Sequence, residues 1–302
     1  MAYNILILIA MEGKTVYFAV VPAQNEAGRI GIVLTNLLRL SFHTVVPVIN
    51  GCTDATLQEV LAIRDPRLKP IYFAESLGID VPRAVGASYA LCKGARGVVF
   101  VDGDMTGDFR SHLSCILDAL EQGIDLALVN CYPYITNRQK LAGLVLHFRG
   151  RLNRELGLFQ DLGLASPTHG PHGVSRRLME TVGMQALAVP PMELARAKKN
   201  NLSVKVVTSI PHSLLSSPIR QRGHARKVAH TIIGDCLQAL AFARDTEPSR
   251  TFGKHYFDGY NSSRRFDRLS AWHRRCAALL GLAPTEPADK NLTALTEPGP
   301  SG

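Results

Sequence analysis

Apolar residues fall in short blocks over the first 130 positions. Blocks at residues 16–21, 44–49, 68–73, 97–101 and 125–130 are rich in Val, Ile and Phe and run into polar or glycine-containing turns. Runs of that length and composition predict strands buried on both faces. The intervening stretches 26–40, 54–64, 83–93 and 109–121 carry apolar residues at helical spacing. Strands separated by helices of ten to fifteen residues imply βαβ units, and so a doubly wound, mostly parallel α/β sheet. Further on, the pattern predicts a basic helix over 138–156, an irregular Pro/Gly loop over 159–173, and a helix near 192–200 feeding a strand at 203–210. A long helix at 225–244 and an amphipathic one at 264–280 form a C-terminal helical extension, and the Pro, Thr and Glu of 283–302 predict a disordered tail. The expected organisation is therefore an N-terminal extension (1–15), a main domain (16–215), the helical extension (216–282) and the tail (283–302).

Composition narrows the class. The chain has 302 residues, 46% hydrophobic and 20% charged, as in a soluble globular protein. Its only membrane-like run, residues 4–10, is far shorter than a bilayer span and lacks the basic flank of a secretory signal; Met11 just beyond it offers a second start. Six scattered cysteines form no Cys-x-x-Cys pair, which argues against zinc or a disulfide framework and for a cytoplasmic setting. The net charge is +9, and residues 138–227 alone hold fifteen Lys/Arg against four Asp/Glu. Such a basic stretch suits an anionic membrane face, a phosphorylated small molecule or nucleic acid; no nucleic-acid motif accompanies it, which removes the last.

The chemistry centres on Gly97-Val-Val-Phe-Val-Asp-Gly-Asp104, where a buried strand ends in two carboxylates. Ligands of open α/β sheets collect at the carboxyl ends of strands, and paired acids there suit a hard divalent cation that brings phosphates with it. Gly103 is expected to let the backbone approach the ligand. Three further turns open at the same edge: Val20-Val-Pro-Ala-Gln-Asn-Glu26, Val48-Ile-Asn-Gly-Cys-Thr-Asp-Ala-Thr56, and the loop from Ser76 to Arg83. As helix N-termini they are expected to offer free N–H groups to an anion. Asp54 or Thr53 also reads as the cap of the following helix.

In these turns the chain resembles the family 2 glycosyltransferases and their relatives of the GT-A fold, over roughly residues 16–215. Pro22, Asn25 and Glu26 match the family's Pro-x-x-Asn-Glu turn; Asn50-Gly-Cys-Thr-Asp54 is similar to its second acidic turn; Asp102-Gly-Asp104 matches its Asp-x-Asp. The resemblance implies a glycosyltransferase that uses a nucleotide-diphosphate sugar donor and Mg2+ or Mn2+. Pro22, Asn25, Glu26, Asn50, Arg83 and Asp102 would bind the donor, and Asp102 and Asp104 the metal. His212, in Ile210-Pro-His-Ser213, stands where the family often supplies a third contact, with His224 behind it. Glu193, the only acid between Glu180 and Asp235, stands where inverting members keep their general base, although the usual acid pair is absent. Asn50 replaces an aspartate and leaves the base specificity open. His169 and His172 fit an acceptor-side loop. Arg220, Arg222, Arg226 and Lys227 fit either a hold on a phosphorylated or lipid-linked acceptor, with a peripheral membrane contact, or a closure over the donor diphosphate. The rival classes are a sugar-1-phosphate nucleotidyltransferase, whose glycine-rich loop is missing after the first strand, and a non-catalytic nucleotide-sugar binding protein.

Overall fold

In the computed structural model the described residues are 16–133, 140–218 and 221–279. The expected N-terminal extension, Arg138, Arg220 and the tail lie outside them.

The apolar blocks form the strands they predict. β1 (Tyr17–Ala23) lies at the centre of the sheet's first half and pairs in parallel with β2 (Thr44–Asn50) and later with β4 (Gly97–Phe100). Between them run α1 (Ile30–Leu38), α2 (Thr56–Ala62), the short β3 (Ile71–Phe73) and α3 (Val81–Cys92). α4 (Arg110–Glu121) and β5 (Leu126–Asn130) follow. α1 starts later than its apolar pattern implies. The backbone at Asn25 is left-handed (φ 58°), and the carbonyl of Glu26 accepts from the amides of Arg29 and Ile30.

The second half departs further from the pattern. α5 (Lys140–Glu155) and the short α6 (Phe159–Leu162) precede a strand, β6 (His172–Ser175); α6 lies inside the segment 159–173 whose Pro and Gly content predicts a loop, and β6 begins at its end. β6 inserts antiparallel between β4 and β5. It has one β-branched residue, Val174, and its Gly173 is obligatory. A Cβ there would stand 2.4 Å from Ile116 Cγ2 and 3.0 Å from Leu120 Cδ1, so α4 packs directly on the β6 backbone. Then come α7 (Arg176–Val182), α8 (Met184–Leu187), α9 (Pro190–Lys199) and β7 (Val204–Ser209), a 3-10 turn at His212–Leu215, and α10 (Arg222–Ala243). A hairpin of β8 (Thr251–Phe252) and β9 (His255–Tyr256), which the hydrophobic pattern does not foreshadow, leads to α11 (Phe266–Leu279).

The sheet order is β3-β2-β1-β4-β6-β5-β7. The chain winds outward from β1 through β2 to β3, then returns to β4 on the other side of β1. That reversal opens a crevice at the carboxyl ends of β1 and β4, where open α/β sheets bind ligands. Alternate residues of β1 feed two cores: Phe18 and Val20 face α3 with α5, α9, α10 and α11, while Tyr17, Ala19 and Val21 face α1 and α4. Full burial of a side chain such as Phe18, Val20 or Val21 is worth about 1.5–3 kcal/mol, and it fixes where the strand ends emerge. Among the described residues, no helix is long and apolar enough to cross a membrane.

Candidate active site

At the end of β1, the turn that follows is stitched to the next one. The amide of Asn25 donates to Cys52 Sγ (3.3 Å), that of Glu26 to Thr56 Oγ1 (2.7 Å), that of Ala27 to Asp54 Oδ2 (3.1 Å) and that of Gly28 to Glu59 Oε1 (2.7 Å). In return, Asn25 Oδ1 accepts from the Thr53 amide (2.8 Å). These N–H groups are therefore spent within the protein and are not the free anion donors the turns suggest. Asn25 is exposed and takes no part in lining the crevice, whereas Pro22 and Glu26 do line it. Asp54 also accepts from the Thr56 amide (3.0 Å), but Ala55, rather than Asp54 or Thr53, occupies the cap position of α2, so the cap read from the sequence falls one residue early.

Asn50 closes the next wall. Its Oδ1 accepts from the Leu77 amide (2.6 Å) and its Nδ2 donates to the Gly78 carbonyl (3.2 Å), so both halves of the amide shape the loop before α3. Asp80, in left-handed geometry (φ 61°), starts that helix.

Asp102 and Asp104 stand at the crevice floor beyond β4. Gly103 between them donates to the Pro22 carbonyl (3.1 Å), and a Cβ there would come 3.1 Å from that same oxygen and 3.2 Å from Ala23 Cβ. The close approach at Gly103 is thus to β1 rather than to a ligand, and the hydrogen bond ties the carboxylate pair to the turn after β1. Ser217 Oγ donates to Asp104 Oδ1 (3.4 Å). Asp102 Oδ1 accepts from Arg83 (2.6 Å), whose guanidinium also reaches Asp80 (3.4 Å) and the Pro167 carbonyl (3.4 Å). Burial works against the charge of Arg83, but Asp102 and Asp80 outweigh it and raise its pKa.

Beyond Asp80 the alternation of charge continues. Arg264 bridges Asp80 (3.0 Å) and Asp235 (2.7 Å), and Asp235 also accepts from Arg250 (2.6 Å). Asp235, Arg250 and Arg264 are 1%, 4% and 6% exposed. A row of three acids and three arginines thus joins the crevice floor to α10, the β8–β9 hairpin and the start of α11. Its one sequence signal is Asp235 itself, an acid inside the apolar run Ile232-Ile-Gly-Asp-Cys-Leu237. Buried charges of that kind must be paired.

The opposite wall is built from the segments after β5 and β7 and the segment just before the antiparallel β6. Tyr132, His169 and His212 form a ring cluster, with His169 and His212 centroids 4.8 Å apart and Tyr132 and His169 5.4 Å apart. All three line the crevice, together with Arg149, Lys227 and His224. His224 Nδ1 and Tyr260 Oη share a hydrogen bond (2.9 Å). Arg222 and Arg226 are exposed and outside the lining. His212 shares the crevice with Asp102 and Asp104. Among the described residues, however, no three His, Cys, Asp or Glu side chains converge closely enough to hold a metal by themselves.

Glu193 is 1% exposed and does not line the crevice. Its Oε2 lies 4.0 Å from His172 Nε2, while Glu193 Oε1 and His172 Nδ1 have no partner. Burial pushes the Glu193 carboxyl up to about 8, against the pull of Arg83. Burial, reinforced by Arg83, takes His172 down to about 3. At neutral pH the two face each other uncharged. His172 is likewise buried rather than displayed to an acceptor.

The crevice encloses about 960 Å³, enough for a nucleotide sugar. The sequence profile described as "Glycosyl transferase family 2" matches residues 18–183. No curated protein matches the chain by sequence. Among solved structures, glucosyl-3-phosphoglycerate synthase from Mycobacterium tuberculosis, in complex with Mg2+ and uridine-diphosphate, superposes with a TM-score of 0.55 at 18% identity, covering 82% of this chain and 85% of that one. The same enzyme with Mn2+, uridine-diphosphate-glucose and phosphoglyceric acid gives 0.53 at 18% identity, covering 82% and 86%. A third complex, with Mn2+, uridine-diphosphate and glucosyl-3-phosphoglycerate, gives 0.54 at 17% identity, covering 80% and 84%. These likenesses establish a shared GT-A fold with a C-terminal helical part. With the profile spanning more than half of its length, this chain belongs to glycosyl transferase family 2.

Proposed function

We propose that this glycosyltransferase moves a sugar from a nucleotide-diphosphate donor, with Mg2+ or Mn2+ at Asp102 and Asp104, to a phosphorylated or lipid-linked acceptor. The observation that carries the reading is the carboxylate pair at the topological switch point, locked to β1 through Gly103. Its donor set fits the ion. Carboxylate oxygens are the ligands a hard cation takes, and Mg2+ is commonly held by one or two carboxylates with substrate phosphates completing the shell. That accounts for the lack of a preformed three-ligand cluster among the described residues; His212 is the protein group best placed to join once a diphosphate is present. When bound, the ion would supply Lewis-acid neutralisation of the departing diphosphate.

The chain's own residues divide the remaining work. Arg83 fixes one oxygen of Asp102 and leaves the other for a ligand. Pro22, Glu26 and Asn50 form the donor-side wall, with Asn50 acting through the loop it clamps. Glu193, sealed and protonated at neutral pH, serves in this reading as a positioning group behind Arg83 and His172 rather than as a base that meets the acceptor. The bound molecules of the superposed synthase, uridine-diphosphate-glucose and phosphoglyceric acid, support a nucleotide-sugar donor and an anionic acceptor. Six free cysteines suit a reducing, cytoplasmic compartment. Calorimetric titration with nucleoside diphosphates, with and without Mn2+, tests the proposal. Metal-dependent binding should vanish in Asp104→Ala, and unchanged Mn2+-dependent affinity in that variant would overturn the metal assignment. Binding without turnover of any nucleotide sugar would instead identify a non-catalytic binding protein.

A further inference from the structure

Arg149, in the middle of α5, carries a charge that the protein leaves unanswered. The residue is 2% exposed, and its Nε is sealed from solvent without a hydrogen-bond partner. No carboxylate among the described residues pairs with it; the Tyr132 ring centroid lies 5.7 Å from its Cζ. A buried guanidinium with no counter-charge is strongly destabilising. The other deeply buried arginines obey the rule: Arg83, Arg250 and Arg264 each hold a carboxylate. Yet Arg149 lines the crevice, so a molecule entering the crevice can reach it.

Beside it stands a second unanswered group. His169 also lines the crevice, and its Nε2 is sealed without a partner. An imidazole nitrogen sealed in this way has a hydrogen bond to offer whatever enters the crevice. The location separates this pair from the donor wall. Tyr132 follows β5 and His212 follows β7, on the far side of β4 from the turns after β1 and β2.

We infer that Arg149, with His169 beside it, is an oxyanion subsite in the acceptor half of the crevice, built to take a phosphate or carboxylate carried by the acceptor. The inference rests on the proposed reading of the crevice as a donor and an acceptor half. A guanidinium fork matches either anion with two parallel hydrogen bonds, and a water-excluded setting strengthens them. The missing counter-charge thus arrives with the substrate, so acceptors lacking an anion would leave the guanidinium unpaired and be rejected.

The test uses the full-length protein saturated with UDP and Mn2+, so that added anion must enter the other half. Inorganic phosphate, methyl phosphate and acetate are titrated by calorimetry, and vesicles containing phosphatidic acid form a parallel arm. Arg149→Met should weaken the soluble anions at least tenfold while UDP affinity, the control, stays unchanged. Arg149→Lys, which keeps the charge without the fork, should fall between. Phosphate should also raise the melting temperature of the wild type and not that of Arg149→Met. Vesicle binding that depends on Arg149, with no response to the soluble anions, identifies a lipid headgroup as the source of the same oxyanion. Equal anion affinity in wild type and Arg149→Met overturns the subsite, as does competition between phosphate and UDP, which would assign Arg149 to the donor. Failure of UDP to bind refutes the donor reading without touching an Arg149-dependent response to phosphate.

Discussion

Asp235→Asn tests the buried row of charges most severely. Asp235 Oδ1 accepts from Arg250 (2.6 Å) and Arg264 (2.8 Å), and Oδ2 accepts from Arg264 (2.7 Å), at a site 1% exposed. With Asp80 and Asp102 it balances Arg83, Arg250 and Arg264 one for one. Asparagine keeps the shape, removes one negative charge, and turns an amide donor toward guanidinium donors. The row is then left with a net buried positive charge. Breaking a buried pair by removing one partner costs about 3–5 kcal/mol, a large part of the roughly 5–15 kcal/mol typical of a folded protein. Equilibrium urea unfolding should show the midpoint falling accordingly with the slope preserved. The double variant Asp235→Asn/Arg250→Met should recover part of the loss, because it removes the stranded charge as well. A loss below about 1 kcal/mol would mean that solvent screens the row as it does a surface pair, and would refute the buried-row account. Strict additivity in the double variant would refute it too.

Two further outcomes follow from the crevice floor and the group behind it. Gly103→Ala forces a Cβ against the Pro22 carbonyl and Ala23; overpacking of that kind costs about 1–3 kcal/mol, and it should lower the melting temperature and weaken Mn2+-dependent UDP binding together. Glu193 has a carboxyl raised to about 8 in the folded protein, against an ordinary value of about 4.3 unfolded. The folded state therefore binds more protons across that interval. The stability this group contributes is complete below pH 4 and is lost as pH rises through 8. The stability advantage of the wild type over Glu193→Gln should shrink steadily from pH 5 to pH 8.5. The wild type's own midpoint should decline only above about pH 7, because His169 and His172, held neutral in the fold, add stability as pH rises through the ordinary histidine range of about 6.5. The same variant separates positioning from base catalysis: as a positioning group it should lose about tenfold or less in kcat, whereas a general base contributes roughly 10²–10⁴-fold.

The first half of the fold was legible because parallel strands buried on both faces leave continuous apolar runs, as in residues 44–49 and 97–101. β6 left no such trace. Four residues with a histidine and an obligatory glycine read as a loop, and only packing against Ile116 and Leu120 makes them a strand. At the site, Asp102, Asp104, Arg83 and His212 stood out by position after a strand or at a helix start, and the crevice gathers them. The N–H groups of residues 25–28 misled, because capping by Thr56, Asp54 and Glu59 is a tertiary event. The depth of Glu193 was not legible for a related reason: an acid in the first turn of a helix gives no sign of how deep that turn will lie. Asp80, Asp235, Arg250 and Arg264 are partners across as many as 184 positions, a range at which local pattern carries no information.

The family profile ends at residue 183, yet the row of acids and arginines crosses that limit and ends in residues 235–264. The portion of this chain that is recognisable by descent is therefore smaller than the portion that is electrically self-sufficient. A chimera joining residues 16–215 to another protein's C-terminal part would strand Asp80 without Arg264, and so disturb Arg83 and Asp102 on the crevice floor without altering a single donor-side residue. Recombination between relatives should be tolerated only where both halves of that row travel together.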